Sequence, residues 1–286
     1  MNSINAELQL LSRTADDDAA RALREDVGTG DLTASLVPAD RRASARVLAR
    51  EAAVVCGRPW VDATLRQVDA SLCVSWLVDE CKRCKAGDTV LEVEGPARSL
   101  LTAERTVLNF LQLLSAVATK TAAYVEAVRG TRAQIVDTRK TLPGLRLAQK
   151  YAVRAGGGTP NRIGLFDAVL IKENHIAAAG GVTAALDAAR HVAAGAKFVE
   201  IEVETLAQLE EALRAGAKMV LLDNMDLPTL HEAVRINGGR AILEISGGVT
   251  LDGLRGLAET GVDRISSGGL TKDVKAIDFS MRFAGI

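Results

Sequence analysis

After Gly130 the chain adopts a rhythm of short apolar runs alternating with amphipathic stretches at helical spacing. The runs lie at 133–136, 168–171, 198–203, 219–222, 241–245 and 262–265, and helices are predicted at 144–154, 182–193, 205–215, 227–236 and 250–260. Continuous apolar strands that alternate with helices demand a parallel sheet covered by right-handed crossovers. Six strands fit either a small α/β barrel or a doubly wound sheet.

The region before this rhythm reads as mixed α+β. Ile4, Leu8, Leu11, Ala15, Ala19 and Leu23 recur at helical spacing, so a helix should end near Asp26 in a glycine-bearing turn. Half-buried strands are predicted at 43–55, 73–78 and 88–94, with a short helix opening at Pro59. A long helix from Leu100 to about Val128, with Ser115 inside it, reads as the connector between domains. A chain of 286 residues suits two domains, expected at 1–112 and 113–271, with the 272–286 tail packing on the first.

Composition narrows the function. With 35 Lys and Arg against 36 Asp and Glu, the chain lacks the basic excess of a nucleic-acid binder, and 3% aromatics are too few for base stacking. No apolar run approaches the length of a membrane span, and the polar, acidic start differs from a signal peptide. The cysteines do not make a disulfide scaffold, and the Cys81/Cys84 pair has no second Cys/His pair at ligand spacing. That pair reads as a surface turn in a reducing cytoplasm.

Polar chemistry collects just beyond the strands. Asp137-Thr138-Arg139-Lys140 follows the first, Lys172-Glu173-Asn174-His175 the second, Glu202 and Glu204 the third, and Asp223-Asn224 the fourth. Ser246-Gly247-Gly248 and Ser266-Ser267-Gly268-Gly269 follow the last two. The carboxyl edge is where α/β folds place their sites, and decoration of all six strands favours a closed barrel with one mouth.

The signs of these groups limit the ligand. Residues 137–172 hold seven basic side chains (Arg139, Lys140, Arg146, Lys150, Arg154, Arg162, Lys172) against two acidic ones, Asp137 and Asp167. Like charges gathered at a mouth call for a polyanion. Serine–glycine loops suit phosphate, because glycine lets backbone N–H groups approach an oxyanion. Glu202 and Asp223, on adjacent strands, suit Mg²⁺ shared with phosphate or hydroxyl oxygens. Each signal alone has a plainer explanation: turns for the glycine loops, helix caps for the carboxylates, solvated faces for Arg146, Lys150 and Arg154. Their joint placement argues for a site.

At Asp137-Thr138-Arg139-Lys140-Thr141-Leu142-Pro143-Gly144-Leu145-Arg146 the chain resembles the quinolinate phosphoribosyltransferases, the carboxylating nicotinate-nucleotide pyrophosphorylases. Further matches are Glu104-Arg105-Thr106-Val107-Leu108-Asn109, Lys150-Tyr151-Ala152-Val153, Arg162-Ile163-Gly164-Leu165 and Leu170-Ile171-Lys172-Glu173-Asn174-His175. Leu222-Asp223-Asn224 and Glu244-Ile245-Ser246-Gly247-Gly248 continue them, so the resemblance spans nearly everything from Glu25 onward.

The resemblance implies an N-terminal α/β sandwich followed by an incomplete six-stranded α/β barrel. It also implies a Mg²⁺-dependent transfer from phosphoribosyl pyrophosphate to quinolinate in NAD synthesis, by at least a homodimer. Arg139, Asn161, Arg162 and Lys172 should face quinolinate, with Arg105 arriving from the neighbouring copy. Thr138, Lys140, Lys172, Glu202 and Asp223 should serve the phosphoribosyl donor, with Mg²⁺ at Glu202 and Asp223. Ser246, Gly247, Gly248, Ser267, Gly268 and Gly269 should hold its 5′-phosphate. Lys140, Lys172, Glu202 and Asp223 are the expected catalytic set. Asn161 departs from the family, which usually has histidine there; an amide donates a hydrogen bond but carries no charge. Three rivals stand beside this reading: a related phosphoribosyltransferase acting on nicotinate, a Schiff-base aldolase using Lys172, and a non-catalytic anion binder.

Overall fold

The computed structural model describes residues 2–284. Met1, Gly285 and Ile286, which belong to the expected first domain and tail, lie outside the described residues. The first part of the chain forms α1 (Asn2–Asp26), β1 (Arg42–Ala49), β2 (Ala53–Val54), α2 (Arg58–Val68), β3 (Cys73–Trp76), β4 (Arg83–Cys84), β5 (Thr89–Pro96) and α3 (Ala97–Ala127). Then follow β6 (Gln134–Val136), α4 (Arg146–Ala155), β7 (Val169–Ile171), α5 (Glu173–Ala179), α6 (Val182–Val192), β8 (Val199–Val203) and α7 (Leu206–Arg214). The chain ends through β9 (Met219–Asp223), α8 (Leu227–Asn237), β10 (Ile242–Ser246), α9 (Leu254–Glu259), β11 (Arg264–Ser266), α10 (Gly269–Lys272) and β12 (Phe279–Ala284). Two compact units result. One comprises Met1–Lys120, Leu142–Gly157 and Asp273–Ile286; the other comprises Thr121–Thr141 and Gly158–Lys272.

The first unit is built on an antiparallel sheet of order β12-β1-β5-β3. Period-two alternation turns Ala45, Val47, Ala49, Leu91 and Val93 into one core with Leu100, Val107 and Leu111 of α3. On β1 and β5, Arg46 opposes Glu92 in register and pairs with it at 2.9 Å, with both side chains substantially exposed. The single strand expected over 43–55 is two strands, separated by a bend at Arg50 and Glu51. α2 starts one residue before the expected Pro59, which lies in its first turn; the Glu80 carboxylate caps it by accepting from the Gly57 and Arg58 N–H groups at 2.8 and 3.1 Å. The Ser115 hydroxyl is buried in α3, where it accepts from the Cys56 N–H at 3.0 Å.

One expectation for this unit fails. Of the Cys81/Cys84 pair, Cys81 is exposed but Cys84 is buried. β4 pairs with β2, and that pairing carries the Cys84 thiol into the apolar core instead of leaving it in a surface turn.

The second unit is built on a wholly parallel sheet of order β6-β11-β10-β9-β8-β7. From β7 to β11 each strand lies beside its sequence neighbour. The winding therefore runs one way, as in a barrel, without the reversal of a doubly wound sheet. The closed ring favoured by the decorated strand ends does not form, because β6 and β7 are opposite edges of the sheet; the incomplete six-stranded barrel implied by the resemblance is the one observed. Closure of a parallel barrel ordinarily takes eight strands, and six stop short of it. The outer face is apolar: Ile135, Ile171, Ile201, Val220, Leu243 and Ile265 pack with Leu209, Leu230 and Leu254 of the covering helices. Alternation sends the intervening residues to the inner face, namely Lys172, Glu200, Glu202, Asp223, Glu244, Ser246, Arg264 and Ser266.

Candidate active site

Within the second unit, the expected residues gather along one edge of the parallel sheet. Lys172 follows β7 directly, and its ammonium pairs with the Glu202 carboxylate of β8 at 3.3 Å. The Lys172 backbone N–H donates to His175 Nδ1 at 3.0 Å, which ties the lysine to the first turn of α5. That helix was not predicted, since its short Glu-Asn-His opening has no apolar period. Glu202 lies opposite Leu221 in register, two residues before Asp223, and Asp223 lies opposite Ser246.

Two glycines bring backbone close to these groups. At Gly247, with φ of 93°, a side chain would meet the Asn224 Oδ1 at 3.0 Å and Asp223 Oδ1 at 3.4 Å. At Gly268 a Cβ would lie 2.8 Å from Lys140 Cδ and 3.3 Å from Thr138 Oγ1, so only glycine fits without moving them. The Ser267 N–H donates to the Val136 carbonyl at 3.0 Å, and Thr271 Oγ1 donates to the Lys140 carbonyl at 2.8 Å. Gly269 is the first residue of the short α10. The loops after β6 and β11 are thereby joined.

Arg162 occupies the loop between Gly158 and β7. Burial lowers the proton affinity of its guanidinium, and the like charge of Arg139 lowers it further; Glu200 and Asp167 oppose both effects. Two guanidiniums held near each other make a receptor for more than one negative charge.

Arg105 is exposed on α3 in the first unit. Arg146, Lys150 and Arg154 also belong to that unit, on α4. The plainer reading of these three as solvated fails for Lys150, which is buried, and Arg154 pairs with Glu7.

Several polar residues of the parallel sheet escaped the reading from sequence. Glu200 and Glu244 are buried on the inner face, and Arg264 Nε pairs with Glu244 Oε2 at 3.1 Å. Burial pushes the Glu200 carboxyl up to about 8; Glu244 adds to the rise while Arg264 and Arg162 oppose it. Burial likewise raises Glu244. The missed signal was the strict alternation in Val199-Glu200-Ile201-Glu202-Val203 and the shorter one in Leu243-Glu244-Ile245-Ser246. A charged residue inside such a strand must face the side opposite the helices.

The pattern of the quinolinate phosphoribosyl transferase C-terminal domain matches residues 117–282, and that of the N-terminal domain matches 31–115. The chain belongs to the quinolinate phosphoribosyltransferase family. Among relatives in this family, the nicotinate-nucleotide pyrophosphorylase [carboxylating] of Mycobacterium leprae is 43% identical over 277 residues, covering 93% of this chain and 96% of that one. The probable nicotinate-nucleotide pyrophosphorylase [carboxylating] of Bacillus subtilis is 39% identical over 257 residues, covering 90% and 89%. The solved nicotinate-nucleotide pyrophosphorylase of Francisella tularensis superposes with a TM-score of 0.92 at 42% identity, covering 96% of this chain and 97% of that one.

Among the described residues no group of three or more His, Cys, Asp or Glu side chains is placed to hold a metal by itself. Glu202 and Asp223, on neighbouring strands, offer two carboxylates, a donor set of the kind that suits a hard cation completed by water and phosphate oxygens. No described helix is long and apolar enough to cross a membrane.

Proposed function

We propose that this chain transfers the phosphoribosyl group of phosphoribosyl pyrophosphate to the ring nitrogen of quinolinate, releasing pyrophosphate and CO₂ and forming nicotinate mononucleotide in NAD biosynthesis. The observation that carries the reading is the single file of inner-face and loop residues along one sheet edge, from Lys172 and Glu202 through Asp223 and Ser246 to Gly268. Cations, hydroxyl-binding acids and glycine loops on one edge suit two polyanions held together.

In this reading Arg139, Arg162 and Lys172 neutralise the quinolinate carboxylates, and Asn161 supplies an uncharged donor beside them. Thr138, Lys140, Glu202 and Asp223 hold the donor's ribose and pyrophosphate. The loops Ser246-Gly247-Gly248 and Ser267-Gly268-Gly269 surround its 5′-phosphate. Mg²⁺ held through Glu202 and Asp223 supplies charge neutralisation for the pyrophosphate. The C1′–oxygen bond breaks with its electron pair leaving on pyrophosphate, and the pyridine nitrogen lone pair forms the new bond to C1′. Lys140 and Lys172 stabilise the departing charge, and Glu202 and Asp223 face the positive charge that develops on the ribose. The cationic ring then accepts the electron pair left when the adjacent carboxylate departs as CO₂, and a proton takes its place. No nucleophilic side chain is required; orientation and fixed charge lower the barrier. The Lys172–Glu202 pair also weighs against the Schiff-base rival, which needs a lysine freed of its proton.

The working unit in this reading is a homodimer in which Arg105, exposed on α3, completes the neighbouring copy's site. A cytoplasmic setting accords with four free cysteines. The test is direct: with Mg²⁺ present, quinolinate and phosphoribosyl pyrophosphate should yield nicotinate mononucleotide and equimolar CO₂. Turnover of nicotinate without CO₂, and none of quinolinate, would overturn the proposal.

A further inference from the structure

The loop that carries Arg162 is gripped through its backbone by side chains. The Asn161 N–H donates to Asp137 Oδ1 at 2.7 Å, and the Arg162 N–H donates to Asn161 Oδ1 at 2.8 Å. The Ile163 N–H donates to Asp167 Oδ2 at 2.9 Å, and the Gly164 N–H donates to Asp167 Oδ1 at 2.9 Å. Four consecutive peptide donors thus end on side-chain oxygens. Two of the three side chains that accept them, Asp137 and Asp167, are buried. Lys197 adds an ion pair to Asp167 Oδ2 at 3.1 Å from the solvent side.

Surface loops ordinarily leave such donors to water, so this one is held for a reason beyond connection. The guanidinium it carries is disfavoured by burial and by the like charge of Arg139, against the pull of Glu200 and Asp167, so its place depends on how the loop is held. We propose that Asp137, Asn161 and Asp167 are positioning residues, a clamp that fixes Arg162 beside Arg139 as a preformed receptor for the two carboxylates of the aromatic substrate. The clamp rests on the quinolinate reading given above. Asn161 acts here through its backbone and its carbonyl oxygen, whatever its amide nitrogen does; that nitrogen lies 3.5 Å from Glu244 Oε1.

The decisive variant is Asp167→Asn, which keeps size and one acceptor but turns the other oxygen into a donor facing a donor. Displacement of a substrate-holding group by about 1 Å costs up to about 100-fold. The quinolinate KM should therefore rise about tenfold, with the phosphoribosyl pyrophosphate KM unchanged within about twofold. Asn161→Ala, at a half-buried site, should give the same split. Lys197→Met leaves the four donors clamped and should leave both KM values unchanged within about twofold. Both KM values rising together in a folded Asp167→Asn enzyme, or neither rising, would overturn the clamp. If Asp167→Asn does not fold, Asn161→Ala decides by amide exchange at 161–164, because its quinolinate KM also reads the loss of the amide donor beside the substrate. A wild-type chain that makes no product from quinolinate would refute the function and leave the clamp to amide exchange, which should quicken at 161–164 in either variant; unchanged exchange there refutes the clamp.

Discussion

The two larger sheets of this molecule treat charge in opposite ways. In the antiparallel sheet the charged face looks outward: Arg46 and Glu92 pair in water while Ala45, Val47, Leu91 and Val93 make a dry core. In the parallel sheet the outer face is covered by helices, and the inner one holds Glu200 and Glu244 out of solvent, with Arg264 largely buried beside Glu244. Burying a carboxylate costs several kcal/mol unless it is paired or protonated, so a fold that needed only stability would fill that space with leucine. The difference separates charge that solubilises from charge that prepares a site.

Four substitutions probe this contrast. Lys172→Ala, at the mouth of the inner face, should lower kcat by about 100-fold or more, since a cation facing developing negative charge is worth that much; an enzyme of undiminished kcat would refute its role. Arg264→Met should come next, because it strands Glu244 in the interior. A broken buried pair costs about 3–5 kcal/mol, readable as a lower midpoint in urea or heat. Glu200→Gln concerns pH. The folded-state value near 8 lies above the ordinary 4.5, so the native state keeps a proton that the unfolded chain releases. The associated stability is complete below about pH 4.5 and fades as pH climbs through 8. The glutamine variant should flatten that slope in melts taken from pH 5 to pH 9, and an unaltered slope would place the titration elsewhere. Smallest of all, Arg46→Met on the antiparallel sheet should shift stability by no more than about 0.5 kcal/mol. A large loss there would erase the contrast.

Much of this architecture is readable from residue order, for a physical reason in each case. Strands buried on both sides must be apolar runs, and helices that cover them must be amphipathic, so α6, α7, α8, α9 and all six parallel strands stand close to their expected bounds; α4 does too, but it belongs to the first unit. Residues at strand ends were readable because the carboxyl edge is a known collecting point: Lys172, Glu202 and Asp223 were placed from their order alone. Ring closure was not, since it depends on strand count and stagger, which no local pattern encodes. Cys84 was misjudged because its two-residue strand is too short to show a period. Glu200 and Glu244 were missed for the converse reason: their strands read as apolar runs, which hid a second, charged periodicity. The grip on Arg162 was invisible as well, since it joins Asp137 to Asn161 across 24 positions.

An unclosed ring of strands leaves two selvedges with unspent hydrogen-bonding groups, the ordinary starting point for one protein to stitch itself to another. Here the segment before β7 hems one of them: Thr159 bridges to Val136, and its N–H donates to the Ile135 carbonyl at 2.8 Å. The stretch of chain that presents Arg162 thus begins at that hem. Loosening it for the sake of broader substrate tolerance would also expose a sticky margin, so solubility and selectivity are tied to the same few residues.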